Sequence, residues 1–311
     1  MTGAAASVGQ PVAARDGRRR RLRRGDLSGM GFLAPFLVFY ALFLIVPLIY
    51  EIVMSFFHTS LVLPGLGGFA GLGNYREVFG DARFWQAVWH TIWFTIVSTP
   101  PLVVLPLFFA IVVNRLSHGQ WFFRLAFFLP YILPSAVISL IWVWLYEPGY
   151  GLVDGALSAL GLGAPAWLSS PDVALYSIVI VTVWWTIGFN FVLYLAGLQD
   201  IPRDLYAAAA LDGASQWQQT WRVTLPMLGR TTTLVAVLQV IASLKLFDQV
   251  YLMTAGGPNY STRSAIEYIY DTGFTSQRIG YASAAAFVLF VIIAVVSFGW
   301  LLIVRQQEKG V

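Results

Sequence analysis

Six long apolar stretches dominate the chain, at residues 31–57, 85–113, 122–146, 173–198, 231–253 and 281–304, and short polar segments separate them. Each clears the ~20 residues that an α-helix needs to cross a bilayer core. None shows the ~10-residue alternation of polarity that marks a membrane barrel strand. Backbone groups in lipid must find partners within their own segment, so each stretch is predicted to be helical. The expected class is an all-α integral membrane protein with six transmembrane helices. Pro100, Pro101 and Pro106 interrupt the second stretch, Pro130 and Pro134 the third. Kinks should result, with the freed carbonyls satisfied by neighbouring helices or water. The sixth opens on Ala282-Ser283-Ala284-Ala285-Ala286, small residues that let another helix approach closely, within the chain or from another subunit. No internal repeat is evident.

The polar loop at 201–228, IPRDLYAAAALDGASQWQQTWRVTLPML, stands out against this background. Leu205, Ala208 and Ala209 fall at i, i+3 and i+4 in an alanine-rich run of high helix propensity. Asp212-Gly213 then supplies a break at a residue that tolerates positive φ. Ser215 and Gln218 have capping-box spacing, Trp217, Trp221 and Leu225 follow at i, i+4 and i+8, and Pro226 limits the second helix. Two short helices around a glycine corner predict a knob. The other three connections, 58–84, 147–172 and 254–280, are rich in Gly, Pro and aromatics and predict compact caps.

Ala207-Ala208-Ala209, Asp212-Gly213-Ala214 and Leu225-Pro226 have the spacing of the EAA loop, so this segment resembles that of binding-protein-dependent ABC importer permeases. One position departs, because Ala207 stands where the family has glutamate. Phe69-Ala70-Gly71-Leu72-Gly73-Asn74-Tyr75 and Thr254-Ala255-Gly256-Gly257-Pro258 extend the likeness to the sugar-type branch, the relatives of the maltose and glycerol-phosphate permeases, over roughly residues 30–305. The resemblance implies a type I ABC importer permease fold and a subunit that forms half of a path for a solute of carbohydrate class. It also implies a second permease, an ABC ATPase dimer and an extracytoplasmic solute-binding protein as partners. ATP and magnesium would be bound by the ATPase, and this chain would hold no cofactor. Leu205, Tyr206, Ala207, Ala208, Ala209, Asp212, Gly213, Ala214 and Trp217 become the expected coupling residues, within a coupling loop at 199–230.

Composition and charge agree with a membrane protein, since 58% of residues are apolar and 11% charged, where a soluble domain has about a quarter charged. Seven arginines (positions 15, 18–21, 23 and 24) precede the first stretch. Arg115, Arg124, Arg203, Arg222, Arg230, Arg305 and Lys309 fall on the same side, against Arg76, Arg83, Arg263 and Arg278 on the other. By the positive-inside rule, both termini and the knob face the cytoplasm, and the resemblance implies a multi-pass protein of a bacterial cytoplasmic membrane. The arginine run, in an expected tail at 1–28, reads as a topology signal attracted to anionic lipid, not as a nucleic-acid patch. The apolar run after it is too long for a cleavable signal peptide.

Catalytic patterns are missing. There is no phosphate-loop motif, no cysteine, and no spacing of His58, His90 and His118 that suits a metal, so the chain reads as a transport subunit and not an enzyme. Polar residues inside the stretches are the remaining candidates, because their placement in a membrane is costly: Asn190, Gln239, Ser243, Lys245 and Asp248. Lys245 and Asp248, at i and i+3, either neutralise each other on one helix face or line a solute path. Trp142, Tyr146, Trp184, Trp185 and Tyr194 offer rings to a sugar or anchor the membrane interface. An ion-driven secondary transporter would call for an inverted repeat and buried acids, and a membrane assembly protein for a polar cluster at one depth.

Overall fold

A computed structural model describes residues 24–62 and 65–308, with side chains from 32 to 299. Along the chain run α1 (Arg24–Tyr40), α2 (Val46–Met54), α3 (Gly73–Gly80), α4 (Ala82–Asn114), α5 (Gln120–Ile132), α6 (Ser135–Leu145), α7 (Leu152–Ala159) and α8 (Ala174–Gln199). They are followed by α9 (Arg203–Leu211), α10 (Gln216–Gln219), α11 (Leu225–Met227), α12 (Gly229–Leu244), α13 (Asp248–Met253), α14 (Ala265–Tyr270) and α15 (Ile279–Glu308). Single π-helical turns at Ala41–Ile45 and Thr220–Thr224 join neighbouring helices, and a third at Asp271–Thr275 extends α14. Of the expected tail at 1–28, residues 1–23 lie outside the described residues, and α1 already begins at Arg24.

Four segments are long and apolar enough to cross a membrane: Phe32–Met54, Ala82–Asn114, Ala174–Gln199 and Ile279–Gly299. The count reaches six when each of two bent pairs is one span. The first segment up to Glu51 belongs to one compact unit, and its last three residues with the remaining helices belong to the second.

Prolines act differently in the second and third spans. α4 continues through Pro100, Pro101 and Pro106 as a single helix of 33 residues, so there the prolines remove hydrogen bonds without ending the helix. In the third span, Pro134 forces its predecessor out of the helical region: Leu133 lies at φ −72°, ψ 141°. α5 and α6 consequently meet at 97°. The freed carbonyl of Leu133 accepts from Trp185 Nε1 at 3.3 Å.

α4 and α8 form the centre of the bundle. Ala110, Val113, Phe191, Tyr194, Leu195, Leu228 and Val235 bury one cluster, while Phe94, Ile138, Ile178, Val181 and Val250 bury a second. At Gly188 a side chain would lie 1.9 Å from the Phe127 carbonyl, so only glycine lets α8 approach α5 this closely. The alanine run of α15 is used inside the chain: Ala282, Ser283, Ala284 and Ala285 are buried, and Ala284 and Ala285 pack with Val78, Ala87 and Ala265.

Each of the three expected caps contains a short helix, α3, α7 or α14. Asp81 ties two of them together, since its carboxylate caps α4 through Arg83 N at 2.8 Å and accepts from the Tyr281 hydroxyl at 2.8 Å and from that of Tyr268. Burial opposes this charge, but the two hydroxyls and the amides of Arg83 and Phe84 outweigh it and hold the carboxyl below its ordinary range. Arg278 binds Glu77 through both carboxylate oxygens and lies over the Tyr281 ring at 4.6 Å.

Candidate functional site

The knob forms as its sequence dictates. α9 spans the alanine run, and Gly213 follows at φ +78°, a left-handed value that suits glycine. The Gly213 and Ala214 amides return to the carbonyls of Ala210 and Ala209 at 3.0 and 2.9 Å, closing the helix end. Ser215 and Gln218 make the reciprocal capping box that starts α10. Beyond it the chain stays helical through the π turn to Met227, so Pro226 does not stop it. The bend of 60° falls at Leu228, where α12 begins.

Arg115 fixes the knob to the bundle, and two further contacts brace the knob internally. Arg115, at the end of α4, donates through Nη2 to the Gln216 carbonyl at 3.2 Å and to the Thr220 hydroxyl. The Tyr206 hydroxyl meets Thr224 Oγ1 at 3.0 Å, and Gln219 Nε2 holds the Ala214 carbonyl at 3.1 Å. Arg115, Tyr206, Gln216, Gln219 and Thr224, with Ile111, Asn114 and Leu198, line a cavity of about 350 Å³ behind the knob. Tyr206 therefore faces the bundle. Leu205, Ala207, Ala208, Asp212, Gly213 and Trp217 are exposed, whereas Ala209 and Ala214 are half-buried. Leu211 and Trp217 are 90% and 68% exposed, and Trp217 meets Trp221 edge to face at 5.5 Å. Apolar side chains of this size on a braced loop are suited to a protein partner.

The polar residues of the spans divide into two groups. Asn190, wholly buried, donates through Nδ2 to the Leu102 carbonyl at 2.8 Å and accepts from Gln239 Nε2 at 2.9 Å. Ser243 meets Ser98 at 3.1 Å, also buried. These contacts bind α4, α8 and α12 to one another, and Tyr194 is buried in the same cluster. Lys245 and Asp248 are different.

The fifth helix ends at Leu244, short of the expected 253, and Lys245 forms its C-cap with φ −99°, ψ 23°. Phe247 turns the chain before Asp248 opens α13. The two charges consequently do not share a helix face or form an ion pair; both are exposed, and Asp248 accepts from Ser135 Oγ at 2.6 Å. This corrects the i, i+3 pairing.

Of the candidate rings, Tyr146 is buried and stacks on Trp167 at 4.9 Å, and Trp142 is half-buried against it. Trp184 borders an open groove of about 550 Å³ that Pro101, Leu105, Phe109, Pro130 and Val183 line with mostly apolar atoms. That groove gives a sugar hydroxyl little to bond. Sequence reasoning missed Arg115, whose partners lie about a hundred residues away. It also missed Glu267, which is 1% exposed with no hydrogen bond to Oε2.

A multispan bundle with a braced, apolar-tipped knob between its fourth and fifth spans defines a transport permease that works with other subunits. The chain belongs to the family described as binding-protein-dependent transport system inner membrane components, which matches residues 64–307. It is 34% identical over 290 residues to the sulfoquinovosyl glycerol transport system permease protein SmoG of Agrobacterium fabrum, covering 93% of this chain and 94% of the relative. The trehalose/maltose transport system permease protein MalF of Thermococcus litoralis is 33% identical, over 85% of this chain and 89% of its own. A chain in the crystal structure of a bacterial ABC transporter for import of the acidic polysaccharide alginate superposes with a TM-score of 0.80 at 24% identity, covering 91% of this chain and 96% of that one. The fold is that of type I ABC importer permeases, and the chain is a transport subunit in a membrane, not an enzyme.

Proposed function

We propose that this permease forms half of the path for a carbohydrate and takes its motion from an ATPase dimer seated on the knob at 201–226. The exposed Leu211 and Trp217 on a loop braced by Arg115, Tyr206 and the capping box carry this reading. A flexible loop would absorb a push, whereas one tied to the ends of α4 and α12 passes it to the spans. ATP-driven closure of the ATPase pair would swing them between inward-open and outward-open arrangements. The second half of the path is a second permease, and a solute-binding protein delivers cargo outside. Relatives named for a sulfoquinovosyl glycerol and for trehalose and maltose support the carbohydrate class.

The charge asymmetry supports a knob and both termini in the cytoplasm. Because the chain has no cysteine, Ser169→Cys should react with an impermeant maleimide from outside and Ser215→Cys only after the cytoplasmic face is opened. Docking is tested by Leu211→Asp with Trp217→Asp, which should reach the membrane normally and lose the ATPase on purification. Retention of the ATPase would sink the knob as its seat. Screening the purified binding protein against sugars tests the cargo class, and a non-sugar as its one ligand would remove it.

A further inference from the structure

The break that ends α12 opens a surface of unusual composition. Phe247 stacks on Tyr251 with centroids 5.3 Å apart and planes 21° apart. Tyr270 of α14 closes on both, at 5.4 and 5.3 Å, and Phe274 follows at 5.2 Å. The four rings make a continuous ladder from the end of the fifth span into the outer cap. Tyr251 and Phe274 are 40% and 59% exposed. Lys245 and Asp248 flank Phe247, also exposed, and Asp248 is held by Ser135 of α6.

Exposed aromatics alone would be ordinary interface anchors. A lysine there can snorkel, but the Asp248 carboxylate, held by Ser135, needs water or a polar partner and not lipid, which sets this turn apart from a lipid-facing anchor. Partly exposed rings such as Tyr251 and Phe274 beside a few polar groups are what a pyranose requires: its C–H face lies on a ring and its hydroxyl rim bonds to carboxylate and hydroxyl oxygens. The same surface would suit a purely apolar partner poorly, since docking would bury Asp248 and Lys245 without a pair between them.

We propose that Phe247, Tyr251, Tyr270 and Phe274, with Asp248 at their foot, form a sugar-binding platform on the outer side of the path. The proposal rests on the carbohydrate reading above. The ladder takes the sugar ring after its release from the binding protein, and Asp248 orients the hydroxyl rim.

The test uses the assembled importer in membrane vesicles. Tyr251→Cys and Phe274→Cys should react with a water-soluble maleimide; reaction with a lipophilic maleimide alone, or with neither, would assign the ladder to lipid or to the second permease and overturn the platform. Uptake is then read with radiolabelled trehalose and maltose, alongside a labelled amino acid. Tyr251→Leu should lower sugar uptake at least tenfold with the complex assembled in normal yield, and Tyr251→Trp, which restores a ring, should recover most of it. Sugar uptake unchanged in Tyr251→Leu, or lost in step with complex yield, would refute the platform. Uptake of the amino acid and of neither sugar would defeat the carbohydrate reading itself, a different failure.

Discussion

Asn190 donates to the carbonyl of Leu102, the acceptor that Pro106 deprives of its helical amide. A proline four residues on has no N–H to give, and a bare carbonyl in a bundle core costs roughly 1–3 kcal/mol. The side chain from α8 removes that cost, and Gln239 of α12 in turn satisfies its oxygen. A polar residue in mid-membrane is here explained by a proline on another helix.

Asn190→Leu should therefore destabilise the protein by leaving two buried groups without partners, roughly 1–3 kcal/mol each. Gln239→Leu should cost less, because it strands only the Asn190 oxygen. Thermal unfolding in detergent reads both, and the double variant should lose less than the two losses added. Simple additivity would show that the three groups do not act as a unit.

At Gly213 an added Cβ would meet nothing within 4 Å, so the φ of +78°, and not crowding, sets the cost of substitution. Asn tolerates this region and Val does not. Gly213→Asn should keep most solute uptake, whereas Gly213→Val should abolish both uptake and stimulation of ATP hydrolysis by loaded binding protein at near-normal membrane abundance. Arg115→Ala, which frees the Gln216 carbonyl and the Thr220 hydroxyl, should uncouple in the same way but less completely. Full uptake in Gly213→Val would show that the knob does not transmit motion.

Lys245 and Asp248 give a third expectation. Had they shared a helix face, exchanging the charges would preserve the pair. Since the helix ends between them and Asp248 is held by Ser135, the swap Lys245→Asp with Asp248→Lys should not restore transport lost in Asp248→Lys alone. Recovery to near the parental uptake rate would reinstate the ion pair.

What was legible in the sequence was local. The capping box, the glycine corner and the alanine helix involve residues a few positions apart, and the polar loop carries few competing signals. The kink at Pro134 was legible though its 97° was not, and the end of the fifth helix was not, because hydropathy cannot register that Phe247 breaks the chain among apolar neighbours. Nor were Arg115 and the aromatic ladder. Their partners come from distant segments, and only the packing of α4, α8 and α12 sets which face of each helix is covered.

Glu267 supplies the last expectation. It lies in the outer cap, and burial pushes its carboxyl up to about 7, with Asp271 adding repulsion and Arg263 offsetting only part. Arg263 is engaged at 2.6 Å by Asp271, so Glu267 has no ion pair of its own. Its ordinary value is 4.5, and the folded protein therefore binds the proton more tightly than the unfolded chain does. The stability that this proton contributes is fully present below about pH 4.5 and is lost as pH rises through about 7. Heating the purified protein at a series of pH values should show an unfolding temperature that falls over this window. Glu267→Gln keeps the shape and stays neutral, so its curve should be flatter and should lie above the parent at pH values past about 7. Groups common to both proteins cancel in this comparison. Parallel curves for the two would mean that Glu267 is already ionised in the folded cap and that Arg263 serves both carboxylates.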